Sequence, residues 1–255
     1  MEQPPTTPQT VDRLLESGFR LFKTGFKDIL GILLTQTISM LGLFVALFSL
    51  TISLFDNTST TLFQTDFIVC LILSCLLLLA VELGFIAAFT SKFWAIIHNS
   101  KITSAHAYAV GAQKALPLLV WLISYVLLVA TGLMILFVPG LVLMVSLFMG
   151  AALIIQEHFS TVGALKTSHK LVWPYLRRTL LYLVVSVSIT LAAYFATIFP
   201  LGMLISYITN NNPMLSGITD LARYALIVIL VPFFVALIIP YYMDLQLRRQ
   251  NKDSA

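Results

Sequence analysis

The sequence predicts an all-α membrane protein with six transmembrane helices, and three observations carry that fold class. Of its 255 residues, 59% are hydrophobic and 10% are charged, against about 45–50% and about 25% in soluble domains. Six apolar runs reach or approach the roughly 20 residues that a helix needs to cross a hydrocarbon core about 30 Å thick. Fourteen of the fifteen Lys and Arg residues fall in segments that an alternating path through these runs puts on one side.

Taken in order, the N-terminal MEQPPTTPQT is polar and Pro-rich. It has neither a basic n-region nor an apolar h-region, so residues 1–10 read as a disordered cytoplasmic tail and not as a cleavable signal peptide. Val11–Lys27 repeats its apolar residues at helical spacing. Val11, Leu14, Leu15, Phe19, Leu21, Phe22 and Phe26 share one half of the wheel; Asp12, Arg13, Glu16, Arg20, Lys23 and Lys27 share the other. Thr10 can cap it. A basic amphipathic segment beside a span is the pattern of an interfacial helix.

The six spans are Ile29–Leu54, Phe67–Thr90, Leu116–Val138, Leu141–Gln156, Leu180–Ile208 and Ile218–Tyr242. The third and fourth form a tight hairpin with its turn at Pro139-Gly140. Pro200, Pro232 and Pro240 are kink points in the long fifth and sixth spans. Together residues 11–247 make one six-span domain, with 248–255 as a cytoplasmic tail. By the positive-inside rule the fourteen basic residues put both termini in the cytoplasm. Arg223 alone stands on the other side, beside loops such as FDNTSTTLFQTD and TNNNPMLSG.

Two more cytoplasmic segments read as surface helices. Thr103–Ala115 is Ala-rich. Ser160–Val172 sets Thr161, Val162, Ala164, Leu165, Ser168, Leu171 and Val172 against Gly163, Lys166, Thr167 and Lys170, with His169 on the border. The chain is thus readable as three parallel copies of one unit, a surface helix followed by an outward and an inward span. Thr103 matches Ser160, Ala107 matches Ala164 and Pro117 matches Pro174 at a constant offset of 57 residues, although the first copy lacks the proline.

Few residues suggest chemistry. Glu82 lies ten residues before Lys92 and Gln36 nine after Lys27, so at 1.5 Å per residue both sit near mid-membrane on neighbouring spans. An intramembrane carboxylate costs several kcal/mol unless it is neutral, paired or wetted. Gln36 is the candidate partner, and the pair either pins two spans together or serves a transported proton or ligand. Glu157, His158 and His169 match no metal spacing. They read as interfacial anchors, Asp220 and Arg223 as a local ion pair, and Asp244 with Arg248 and Arg249 as a basic stop at the membrane exit. Trp94, Trp173, Tyr175, Tyr241 and Tyr242 fit an aromatic belt. Cys70 and Cys75 read as buried free thiols. Phosphate-loop, nucleophile-elbow and HExxH patterns are absent. No cofactor is called for. The basic residues form no dense cluster with interleaved aromatics, which argues against nucleic acid.

Several short motifs carry a resemblance. They are Ser104-Ala105 through Gly111-Ala112 to Leu116-Pro117, Val138-Pro139-Gly140, Ile154-Ile155-Gln156-Glu157 and Ala164-Leu165-Lys166-Thr167-Ser168. The last is Tyr241-Tyr242-Met243-Asp244-Leu245 with Arg248-Arg249. In this order the chain resembles the YciC-type family of bacterial inner-membrane proteins. More distantly it is similar to the membrane domain of some glycerophosphodiester phosphodiesterases. The resemblance implies a six-span inner-membrane protein and supplies no catalytic residues.

Two functional expectations follow. The first is a non-enzymatic protein of envelope or lipid homeostasis. Its partners are the bilayer, anionic headgroups touched by Arg20, Lys23, Lys27, Lys166, Lys170, Arg177 and Arg178, and membrane proteins or further copies of itself. The alternative is a transporter or lipid-translocating protein with a cavity reaching Glu82. An intramembrane enzyme ranks last, because Glu82 has no second catalytic group at its depth.

Overall fold

The computed structural model describes residues 7–56, 63–209 and 213–253. They form eight α-helices: α1 Val11–Asp56, α2 Phe63–Ile97, α3 Ser104–Ile135, α4 Phe137–Leu147, α5 Gly150–Gln156, α6 Thr161–Val172, α7 Leu176–Thr209 and α8 Pro213–Asp253. Six segments are long and apolar enough to cross a membrane, with α4 and α5 together making the fourth. Each span packs on the next around a ring: α1 on α2, α2 on α3, α3 on α4, α4 on α7, α7 on α8 and α8 back on α1. Most of the first outer loop and Asn210–Asn212 lie outside the described residues, as do the side chains of Asp220 and Arg223.

Two of the three expected surface helices have no separate existence. Val11–Lys27 is the first part of α1, and Thr103–Ala115 opens α3. Amphipathic spacing marks which face is apolar but not where a helix stops. Only Asp28 separates Lys27 from the apolar run, and helix propagation costs nothing extra where no breaker intervenes. In α3 the first breaker is Pro117, which stays inside the helix, as spans tolerate when neighbouring helices re-satisfy the backbone. The apolar stripe of Val11–Lys27 also packs on protein, since Leu14 and Leu21 are both core residues.

The third is a separate helix. Ser160 caps α6 by accepting the Gly163 N–H at 3.3 Å, and a 3-10 turn over Trp173–Tyr175 leads into α7. Its inward face is not lipid-bound: Ala164, Ser168, Leu171 and Val172 are buried. Ser168 Oγ donates to the Ser146 carbonyl at 2.8 Å, and His169 Nδ1 meets Ser146 Oγ at 3.1 Å. The helix is therefore fastened to α4.

The hairpin turn also differs from expectation. The backbone breaks at Leu136, which is extended (φ −156°, ψ 137°), and Pro139-Gly140 falls within the first turn of α4. Proline suits that position because its missing N–H would have no helical partner there. Gly140 serves close packing instead. A Cβ there would collide with Leu133, and a Cβ at Gly132 would come within 3.0 Å of Gly140 Cα. The fourth span is further divided at Phe148-Met149, where Gly150 faces the Trp121 indole so closely that a Cβ would strike Nε1.

Helix starts share a register. Thr103 accepts the His106 N–H at 3.2 Å, as Ser160 accepts that of Gly163. The next-turn residues Ala107 and Ala164 are both fully buried, as is Leu14, the equivalent after Thr10. One turn further, Gly18, Gly111 and Ser168 are buried as well.

Candidate functional site

The mid-membrane pair forms. Gln36 Nε2 of α1 donates to Glu82 Oε1 of α2 at 2.8 Å. Gln36 is fully buried, and its own Oε1 has no hydrogen-bond partner. One residue earlier the Thr35 hydroxyl meets that of Tyr108, which also donates to the Gly31 carbonyl at 3.3 Å. A short polar belt thus ties α1 to both α2 and α3. The sequence flags Gln36 and Glu82 as lone polar residues in apolar runs. It conceals Tyr108, whose ring fits an apolar face and whose hydroxyl alone is polar.

One cavity adjoins this region and a second lies at the end of α5. The first, of about 270 Å³, lies between α2 and α3 and is lined by Val81, Gly84, Phe85, Tyr108 and Gly111 among others. The second, of about 220 Å³, opens beside Glu157. Glu82 lines neither. Glu82→Gln is expected to leave stability within about 0.5 kcal/mol, because an amide oxygen still accepts from Gln36. Glu82→Leu removes the acceptor of a buried amide and should cost about 1 kcal/mol. Thermal unfolding of both variants in detergent checks this; equal losses would refute it.

The richest polar geometry lies at the other end of the ring's helices, where the basic residues are. Asp244 of α8 is 1% exposed. Its carboxylate accepts from Arg248 at 2.8 Å, from Arg178 at 3.3 Å and from the Gln9 N–H at 2.7 Å. The Gln9 carbonyl in turn accepts from Arg178 and Arg248. Gln9 belongs to the stretch expected to be disordered, and here it is bonded to the far end of the chain. Behind this cluster Tyr182 and Tyr241 stack at 4.2 Å, Tyr241 shares a 2.7 Å bond with Thr179, and Tyr182 donates to the Leu237 carbonyl.

Beside it, Glu157 accepts from both Tyr242 and Gln246 through one oxygen. Lys114 and His158 Nδ1 lie 2.6 Å apart, and buried Lys92 donates to the Ile102 carbonyl at 2.7 Å. His158 and His169 thus serve different neighbours. Among the described residues no three His, Cys, Asp or Glu side chains gather as a metal site.

The expected surface cations divide. Arg20, Lys23, Lys27, Lys166, Lys170 and Arg177 are exposed, with Arg20 bonded to Glu16 at 2.9 Å. Arg178 is turned inward onto Asp244. The aromatic belt is corrected too: Tyr241 and Tyr242 are buried in the bundle, because their hydroxyls have internal partners, while Trp173 is exposed. Cys70 is half-buried and Cys75 exposed on α2, both free. The ionic cluster was missed because Asp244 and Arg178 are far apart in sequence and charges near a span end ordinarily read as headgroup contacts. A carboxylate between Met243 and Leu245, within an otherwise apolar helix turn, was the available signal.

Six apolar helices in a ring, with ion pairs gathered at one end, are the architecture of a multi-pass helical membrane protein. Comparison of the chain with protein-family models, with curated proteins and with solved structures finds no match.

Proposed function

We propose that the chain is a non-enzymatic protein of a bacterial inner membrane, with both termini in the cytoplasm. In this role it supports envelope or lipid homeostasis by holding anionic headgroups on its basic face; the likeness to the YciC-type family implies only the six-span inner-membrane setting. The observation that carries the reading is the charge asymmetry, fourteen basic residues against one. Near an anionic leaflet each exposed Lys or Arg contributes about 1 kcal/mol of attraction. Arg20, Lys23, Lys27, Lys166, Lys170 and Arg177 are the residues for that contact. The shared register at Thr10, Thr103 and Ser160 supports three parallel copies of one unit, each bringing basic residues to the same face.

Orientation is tested with a Cys70→Ser, Cys75→Ser background and an impermeant thiol label. Asn211→Cys should label in intact cells, and Gln250→Cys only after permeabilisation; the opposite pattern would refute the topology. Headgroup contact is tested on the purified protein in vesicles mixing phosphatidylglycerol with phosphatidylcholine. The anionic lipid should be enriched around the protein, and the enrichment should fall as salt rises. Bulk composition at low salt would overturn the reading.

A further inference from the structure

Where α5 ends, the second cavity opens between α5, α6 and α8, with Leu153, Glu157, Thr167, Leu171, Gln246 and Arg249 in its wall. Its volume of about 220 Å³ is below the roughly 300–1,000 Å³ of small-molecule pockets. That is space for a headgroup, with any hydrocarbon left outside. The wall combines four chemistries. Leu153 and Leu171 are buried core residues and supply an apolar floor. Glu157 is a carboxylate, Arg249 a guanidinium and Thr167 a hydroxyl. Lys166 and Lys170 flank Thr167 on α6 and are exposed.

Glu157 is held before any ligand arrives. Buried Tyr242 and the amide of Gln246 both donate to its Oε1, and Gln246 also donates to the Tyr242 hydroxyl at 2.9 Å. Oε2 is the oxygen left to accept a further donor. An anion site and a cation site on one small wall select a ligand that carries both charges close together.

We propose that this cavity binds the phosphoethanolamine headgroup of a membrane lipid. The primary ammonium donates to Glu157 Oε2, and the phosphate oxygens accept from Arg249 and Thr167. A choline headgroup has no N–H to donate. A phosphoglycerol headgroup has no cation and would set its phosphate beside Glu157 without compensation. The site rests on the membrane placement proposed above, with α6 at the depth of the headgroups.

The test uses the full chain in nanodiscs with a fixed fraction of phosphatidylglycerol, the remainder being phosphatidylethanolamine or phosphatidylcholine. Retained lipid is measured by mass spectrometry. Wild-type protein should retain phosphatidylethanolamine over phosphatidylcholine by roughly tenfold, the factor that one charge-assisted hydrogen bond supplies. Glu157→Gln should abolish that preference and leave the enrichment of phosphatidylglycerol unchanged. Thr167→Val, on a different helix, removes a phosphate contact; it should lower the retention of phosphatidylethanolamine severalfold and serves if Glu157→Gln fails to fold. Equal retention of the two lipids by wild-type protein overturns the site. So does a preference that survives Glu157→Gln, since it would reflect bilayer mechanics, or a retention of phosphatidylethanolamine that Thr167→Val leaves unchanged. Loss of phosphatidylglycerol enrichment with the ethanolamine preference intact would instead strike at the anionic-surface reading alone.

Discussion

Replacing Asp244 by alanine is expected to lower the stability of the folded chain by about 3 kcal/mol, the low end of the range for breaking a buried ion pair from one side. Asp244 is 1% exposed, while Arg178 and Arg248 keep 26% and 21% of their side-chain surface. Removing the carboxylate leaves two guanidiniums facing each other without counter-charge. Their residual access to solvent keeps the loss at the lower end. The Gln9 N–H also loses its acceptor. Arg178→Gln should cost less, because Arg248 still neutralises Asp244. Thermal unfolding in detergent would measure both. A loss under about 0.5 kcal/mol for Asp244→Ala would show that the cluster is incidental. In a double-mutant cycle, Asp244→Ala and Arg178→Gln should couple strongly, as residues sharing one ionic network do.

Gly111→Leu is expected to cost a further 1–3 kcal/mol, the usual price of overpacking, by forcing α2 and α3 apart. Even a single Cβ at Gly111 would fall inside the envelope of the Gly84 carbonyl oxygen, with the Gly84 carbonyl carbon at 3.2 Å and Ala88 Cβ at 3.5 Å. That oxygen belongs to a helix backbone and cannot rotate away as a side chain would. Close backbone approach through small residues is how spans gain packing contact where lipid offers no hydrophobic contrast. Gly42→Ala is the control: nothing lies within 4 Å of its Cβ, so stability should hold or rise slightly. Equal effects at both positions in thermal unfolding would show that the α2–α3 contact is looser than described.

The spans were legible because crossing hydrocarbon demands a long apolar run, and charge tolerates no compromise there. The bond between Gln36 and Glu82 was legible for the same reason: two polar residues at matched distance from the basic ends have few other partners. Boundaries were harder. Pro139 looked like a turn, yet proline fits a helix's first turn as readily as it ends a helix, and the break fell on Leu136, whose side chain gives no hint of it. The stripes over Val11–Lys27 and Ser160–Val172 were real periodicities, and part of each faces the protein's own core: Leu14, Leu21, Ala164 and Leu171 are buried, while Phe19 and Val162 stay exposed. A stripe tells that a face is apolar; it does not distinguish acyl chains from the protein's own core. Arg178 shows the limit for charges. Its neighbour Arg177 has the same local sequence but is exposed, and only the three-dimensional position of Asp244 separates them.

The bond from Gln9 to Asp244 has a consequence for biogenesis. Synthesis delivers Gln9 long before Asp244. Arg178 therefore enters the membrane region with its guanidinium uncompensated and stays so until the final helix is made. The two segments then meet, and the ring is latched in one step. A nascent chain stalled before its last span would hold every earlier helix yet lack the latch, and its first segment would be open to proteases that the finished protein resists.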